Sequence, residues 1–384
     1  MPDSYLKYCI FFFILFTLSC KNQVKVTESF DAEESKSDPE YAKRFLIEKK
    51  GNYTRLTIIN PWQGAENVTQ EYFLIRKGLS VPEGLDKNKT ISVPIEKIVC
   101  FSTTHIAMIS ALHSESTIVA ISGSGYIFNK EISEATKSGK IKDAGYEDNL
   151  NKEMILELAP DIVMVYGIGS ESAGYLGKLS ELGVKVLFNA DYLENDPLGK
   201  AEWIKVLGAL YCKEAAADSL FTNISNEYNS LKAFILGKIV EKPSVLLGLP
   251  WKDTWYISPG NSYINKLIND AGGKYLWDDT ESEMSMPYGL ENVFLKAVKA
   301  DYWINIGNVN SKREIIAVDN RLGELPVYKT GRLFNNNNRI NESGGNDYWE
   351  SGSINPQLVL SDMAKIFHPE LFSDTDFYYY KKLN

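Results

Sequence analysis

The sequence predicts an α/β protein of two lobes, each a mainly parallel sheet flanked by helices, joined by a single long helix. Three observations carry that expectation. First, short apolar runs alternate with helical stretches: 97–102 (KIVCFS), 116–122 (STIVAIS), 161–166 (DIVMVY) and 184–188 in the first half, then 244–249 (SVLLGL) and 302–306 (YWINI) in the second. Strands buried on both faces read as such continuous runs, and their alternation with helices argues for parallel sheets. Second, 213–237 holds no proline and no internal glycine, and Ala217, Leu220, Phe221, Ile224, Tyr228, Leu231 and Ile235 share one face at helical spacing. At 1.5 Å per residue this is a helix of roughly 35 Å, and its place between the halves suits a stiff connector with small lobe motions. Third, 156–167 (LELAPDIVMVYG) is echoed by 295–307 (LKAVKADYWINIG), each a helix end, an aspartate, a strand and a glycine.

Length and charge narrow the function. A chain of 384 residues accommodates two core-forming domains. A formal net charge of -9 argues against a general nucleic-acid binder, which needs a basic surface. Neither a G-x-x-x-x-G-K-[ST] phosphate loop nor an H-E-x-x-H zinc motif occurs. The stretch 123–128 (GSGYIF) begins like a dinucleotide fingerprint, but Phe128 stands where the last glycine belongs.

The N-terminus reads as an address. Lys7 precedes the apolar run 9–18 (CIFFFILFTL), too short to span a bilayer but suited to a secretory signal. Thr17-Leu18-Ser19-Cys20 resembles a bacterial lipobox, so cleavage before Cys20 and acylation of its sulfur are expected. The organisation follows: 1–19 a signal peptide; 20–43 a polar, flexible tether; 44–196 an N-terminal lobe opened by a small antiparallel β piece; 197–240 a helical connector begun by Asp196 as N-cap and Pro197 at N1; 241–384 a C-terminal lobe. Cys100 and Cys212 read as two small buried hydrophobes, a disulfide in the oxidising exterior being the other option.

Several segments together resemble the class III periplasmic substrate-binding proteins, which share a chelatase-like fold and serve cobalamin, haem and ferric-siderophore importers. These are 98–129 (a strand, a Ser/Thr-rich turn, a helix, then IVAIS), 153–166 (EMILELAPDIVMVY), and 346–350 (NDYWE) followed by 356–371 with its HPELF ending. The last resembles a Bacteroidetes-type lipoprotein subgroup. The likeness covers roughly 45–380 and implies capture of a metal chelate between the lobes and delivery to an ABC importer permease and its ATPase. It implies one exposed docking glutamate per lobe, at positions matching Glu171 and Glu291; a carboxylate in a first helical turn also simply favours the helix dipole. No catalysis, resident cofactor or protein metal site is expected, since a bound metal chelate is cargo. A monomer is expected, touching membrane only through its anchor.

The ligand is expected where loops at the strand ends of both lobes meet. In the first lobe these carry Ser102, Thr103, Thr104, His105, Gly125, Tyr126 and Tyr166. In the second they carry Trp251, Trp255, Tyr256, Tyr263, Asn308, Tyr348 and Trp349, aromatics that on loops give broad contact to a large ligand and in strands are usually core. His105 is either an axial ligand to haem iron or cobalt or a capping, hydrogen-bonding histidine. Arg339 is either solvated or a partner for a ligand carboxylate. No dense arginine cluster marks a highly anionic siderophore. The alternatives are a zinc or manganese binding protein, disfavoured by only three histidines, and a hydrolase or a receptor-accessory lipoprotein of similar fold.

Overall fold

The computed structural model describes residues 35–145, 149–167, 178–374 and 376–384. The signal peptide, Cys20, most of the tether and Glu171 lie outside them. Three sheets succeed one another along the chain. The first runs β1 (Ser35–Ser37), β2 (Phe45–Lys50), β3 (Tyr53–Ile59), β4 (Thr69–Arg76) and β5 (Thr90–Val93), neighbours in that order. All its pairs are antiparallel except β4 with β5, so it is larger than the small antiparallel piece expected. Alternation on β3, with Leu56 and Ile58 buried, turns one face of this sheet toward the core.

The second sheet contains β6 (Ile98–Cys100), β7 (Ile118–Ile121), β8 (Lys142–Asp143), β9 (Ile162–Val165) and β10 (Val186–Phe188), all parallel, in the order β10-β9-β6-β7-β8. The chain winds outward from β6 to β8, then returns to the other side of β6 as β9. That reversal leaves a switch point between β6 and β9, where the following loops part in opposite directions. The third sheet repeats the plan. Its strands β11 (Ser244–Leu247), β13 (Lys274–Tyr275), β15 (Tyr302–Ile304), β16 (Leu333–Asn335) and β17 (Lys381–Lys382) stand in the order β13-β11-β15-β16-β17, with only β17 antiparallel. Its switch point lies between β11 and β15. A separate antiparallel ribbon, β12 (Thr254–Ile257) with β14 (Met286–Gly289), leans on this lobe.

Between the lobes run helices Pro197–Glu202, Ile204–Tyr211 and Glu214–Leu236. Asp196 caps the first, its carboxylate accepting from Leu198 N and Gly199 N, with Pro197 at N1. The second and third cross so closely that a Cβ on Gly208 would lie 2.6 Å from that of Ala217, which only glycine permits. Helix Pro356–Phe367 of the C-terminal lobe packs on the long helix. The lobes are not separate globules, because one buried apolar cluster runs from Ala42 through Phe221 and Tyr228 to Leu383. Cys100 and Cys212 are both free thiols, the first buried and the second partly so.

Two buried carboxylates fasten the N-terminal segment to the connector. Glu202 accepts backbone N–H groups from Glu40, Tyr41 and Ala42 at 2.8–2.9 Å, and Lys205 Nζ at 2.8 Å. Glu194 accepts from Lys43 N, Arg44 N and the indole of Trp203 at 3.0–3.1 Å. A carboxylate buried in this way is tolerated only because every lone pair is engaged. Removing one orphans several donors at once, so Glu202→Ala is expected to lower unfolding stability by about 3 kcal/mol. A urea midpoint like that of the parent would show that the segment is held by packing alone.

Candidate ligand-binding cleft

The C-terminal ends of the strands on both sides of each switch point open into one cleft of about 1020 Å³. From the first lobe, β6 delivers Phe101 to Thr104, β7 delivers Ser122 and Gly123, the turn Ser124–Tyr126 delivers Tyr126, and β9 delivers Tyr166. Ser102 is the N-cap of helix Thr103–Ala111, its Oγ accepting from Thr104 N at 3.2 Å. Gly123 adopts φ +76°, a left-handed turn that suits glycine.

The second lobe contributes Leu247 and Gly248 after β11, Tyr256 and Ser258 from the ribbon, and Tyr263 at the start of helix Tyr263–Asp270. Asn305, Gly307, Asn308 and Asn310 follow β15, Asn336 and Asn337 follow β16, and Asn346 caps the short helix Asp347–Glu350 that carries Tyr348 and Trp349. The asparagines hold their loops through side-chain amides. Asn337 Nδ2 donates to Val309 O at 2.9 Å and to Asn310 Oδ1 at 3.0 Å, and Asn346 Nδ2 donates to Asn336 O at 3.1 Å. Tyr380 Oη, beneath, donates to Asn305 Oδ1 at 2.7 Å. Burial pushes the Tyr348 and Tyr380 phenols up, so both remain neutral O–H groups.

Three rim aromatics stand well into solvent: Tyr126 at 72%, Trp349 at 62% and Tyr256 at 53% exposure. Large apolar rings left open around a concavity mark an interaction site. Tyr348 and Trp349 meet edge to face at 4.8 Å. Lys200, from the connector, is the one charged side chain among the described lining residues, with its Nζ over the Tyr263 ring at 5.1 Å.

Four residues expected at the ligand lie elsewhere. His105 is fully buried on helix Thr103–Ala111, and both its ring nitrogens lack a partner. Burial pushes its pKa down to about 3, so it is a neutral core histidine, neither a cap nor an axial ligand in the cleft. Gly125 sits inside its turn, away from the cleft lining. Trp255 belongs to strand β12, not to a loop; alternation buries it against Trp303, with its N–H on Leu247 O at 2.9 Å, and turns Tyr256 out instead. Trp251 is exposed outside the cleft, with Lys252 Nζ over its ring at 4.4 Å. Sequence reasoning passed over Ser122, Gly123, Lys200 and most of the asparagines, although the run at 335–338 directly after a strand was a usable signal.

The two lobes also touch across the cleft's edge. The Glu350 carboxylate accepts from Phe128 N at 2.7 Å and Asn129 N at 2.9 Å, at the start of helix Lys130–Lys137. Asn341 Nδ2 donates to Ile127 O at 2.7 Å. Arg339 serves this bridge and not a ligand: it pairs with Asp347 at 2.6 Å and lies over the Phe128 and Tyr378 rings. A further cavity of about 760 Å³ separates the N-terminal segment from helix Tyr263–Asp270, but its acids are engaged. Glu194 holds the backbone, and Asp270 holds Tyr228, Lys232 and Lys266. Among the described residues no group of three His, Cys, Asp or Glu side chains is placed to hold a metal ion. Glu291 is exposed in the first turn of helix Leu290–Ala297.

Two parallel-sheet lobes joined by helices, with a cleft at their paired switch points, define the class III periplasmic binding protein architecture. The chain belongs to the periplasmic binding protein family, whose model matches residues 98–337. An uncharacterized lipoprotein of Methanocaldococcus jannaschii is 29% identical over 394 residues, covering 96% of this chain and 91% of its own. A second lipoprotein from that organism is 29% identical over 335 residues, covering 83% and 81%. These relatives are archaeal and lend nothing to the Bacteroidetes-type likeness. A periplasmic haem binding protein from Pseudomonas aeruginosa has the same fold, with TM-score 0.54, 18% identity, and 72% and 93% of the two chains covered. So does the periplasmic vitamin B12 binding protein of Vibrio cholerae, at 0.51, 13%, 72% and 98%.

Glu350 makes the lobe contact sensitive to pH. Burial, the larger effect, raises its carboxyl from 4.5 to about 7 against the two N–H donors that lower it. The folded chain therefore keeps a proton that the unfolded chain has released. Stability is greatest below the unfolded value, falls as pH rises through the window from about 4.5 to about 7, and then levels. The loss across that window is on the order of 3 kcal/mol. Buried Asp191, Glu194 and Asp362 are shifted the same way and add to the slope. Urea midpoints at intervals from about pH 4 to about pH 8 are expected to show a shallower slope in Glu350→Gln than in the parent; equal slopes would assign the titration to the other acids.

Proposed function

We propose that this chain is the lipid-anchored substrate-binding protein of an ABC importer, which captures a large metal chelate in the interlobe cleft without altering it. The cleft itself carries the reading: about 1020 Å³, ringed by aromatics and lined by loops from both lobes. That volume is at the upper end of small-molecule sites and suits a macrocycle or a wrapped chelate. Solved structures of like fold are described as a haem binding protein, a vitamin B12 binding protein and part of an Fe3+-hydroxamate transport system, which supports the class of cargo. Capture would use the side chains at the cleft: Ser102, Thr103 and Thr104 at a helix start, with Tyr126, Tyr166, Tyr256, Tyr263, Asn308, Tyr348 and Trp349 around it. Anchoring would be through Cys20, in keeping with relatives named lipoproteins. Glu171 and Glu291 would meet cationic side chains on the permease.

Two measurements test this. Calorimetric titration of the detergent-solubilised full chain with metal chelates is expected to give saturable binding at or below about micromolar Kd, with the chelate recovered intact; a chemically changed product would make the protein an enzyme. In cells, Glu171→Ala combined with Glu291→Ala is expected to abolish chelate uptake while leaving affinity unchanged. Undiminished uptake by the double variant would sink the docking role.

A further inference from the structure

The chemistry of the cleft lining narrows the cargo beyond its size. The described residues that line it include no carboxylate and a single cation, Lys200. That cation is not idle, since its charge acts on the buried carboxyl of Asp191, and its ammonium lies over the Tyr263 ring. A chelate carrying several negative charges would therefore leave water without counter-charges to replace its hydration, a loss no aromatic wall makes good. A polycation would fare no better, since the described lining residues include no acid.

What the cleft does offer is amide chemistry. Six of the described lining residues are asparagines: 305, 308, 310, 336, 337 and 346. Asn337 is 5% exposed, and its Nδ2 is committed to Val309 O and Asn310 Oδ1, which fixes the orientation of the amide. Its Oδ1 is buried with no partner. Beside it Asn336, 4% exposed, turns its amide toward the Tyr348 phenol, with Nδ2 buried and short of full hydrogen-bond geometry. Two residues adjacent in the chain, both at the cleft, thus carry a fully unpaired acceptor and a donor held only loosely by Tyr348, polar atoms that are costly to leave unpaired. A ligand edge that presents N–H and C=O together, as amides and hydroxamates do, is their complement.

We propose that the cleft selects a metal chelate of zero net charge with an amide- or hydroxamate-type edge, seated on Asn336 and Asn337, and discriminates against polyanionic chelates. This rests on the chelate-capture reading above and names the class of cargo within it. The test is calorimetric titration of the full chain in detergent with two uncharged probes, ferrichrome and cyanocobalamin, and two anionic ones, haem and a ferric tris-catecholate. At least one uncharged probe is expected to bind about 100-fold or more tighter than either anionic one. Its affinity should change less than about twofold between low and high salt, since no net charge is screened. Asn337→Ala and Asn336→Ala, each checked for a native circular dichroism spectrum, are expected to weaken that probe about tenfold.

An anionic probe binding as tightly as the uncharged ones, or a steep salt dependence, overturns this inference and leaves chelate capture standing. Full affinity in both asparagine variants overturns the assigned seat. Failure of all four probes to bind overturns the chelate reading and this inference with it.

Discussion

The separation of the cleft walls depends on a carboxylate that belongs to one lobe and is satisfied by the other. Glu350 ends the short helix that presents Tyr348 and Trp349, and its oxygens rest on the N–H groups of Phe128 and Asn129. Tyr126, on the facing rim, lies only two residues before Phe128. One buried carboxyl group therefore ties together aromatic residues that the chain places more than two hundred positions apart. Away from the cleft, the Glu202 and Glu194 carboxylates gather the segment 40–44 onto the connector. The two sets of contacts fasten the lobes to each other and to the connector.

That arrangement explains why the wall residues are of two kinds. Exposed rings at the rim supply area at little conformational cost. The asparagines within are committed on one side to loop carbonyls, which sets the direction in which the remaining polar atoms are offered. The neutral Tyr348 phenol continues the same uncharged lining, with neutral Tyr380 buried behind it on Asn305.

Much of the architecture was legible in the sequence because it rests on local pattern. Continuous apolar runs marked β6, β9, β11 and β15, and the seven-residue apolar face between 217 and 235 marked the long helix. The Asp196-Pro197 pair marked a helix start through capping chemistry that needs no tertiary information. The first sheet was underestimated, since its parallel β4–β5 pairing joins segments that propensity alone does not bring together. Residues expected on loops directly after strands do line the cleft, as with Ser102, Tyr166 and Asn308. Trp255 and His105 were misplaced for a shared reason: each lies just inside a regular element, where periodicity turns a side chain inward however polar or aromatic it is. Glu350 and Lys200 were missed because their roles exist only across long sequence separations.

The ribbon that carries Trp255 and Tyr256 has an implication for how such a binding surface can diversify. Its two aromatics occupy adjacent positions, one anchoring the lobe against Trp303 and the other facing the cleft. Substitution at position 256 alters the wall and leaves the scaffold intact. A single-residue insertion or deletion upstream within β12 would exchange the two, burying a phenol and presenting an indole, and would reverse every neighbouring side chain with them. Descendants of this chain are thus free to vary the ribbon in composition but constrained in its parity, so length changes there should accumulate in pairs or fall in the turns.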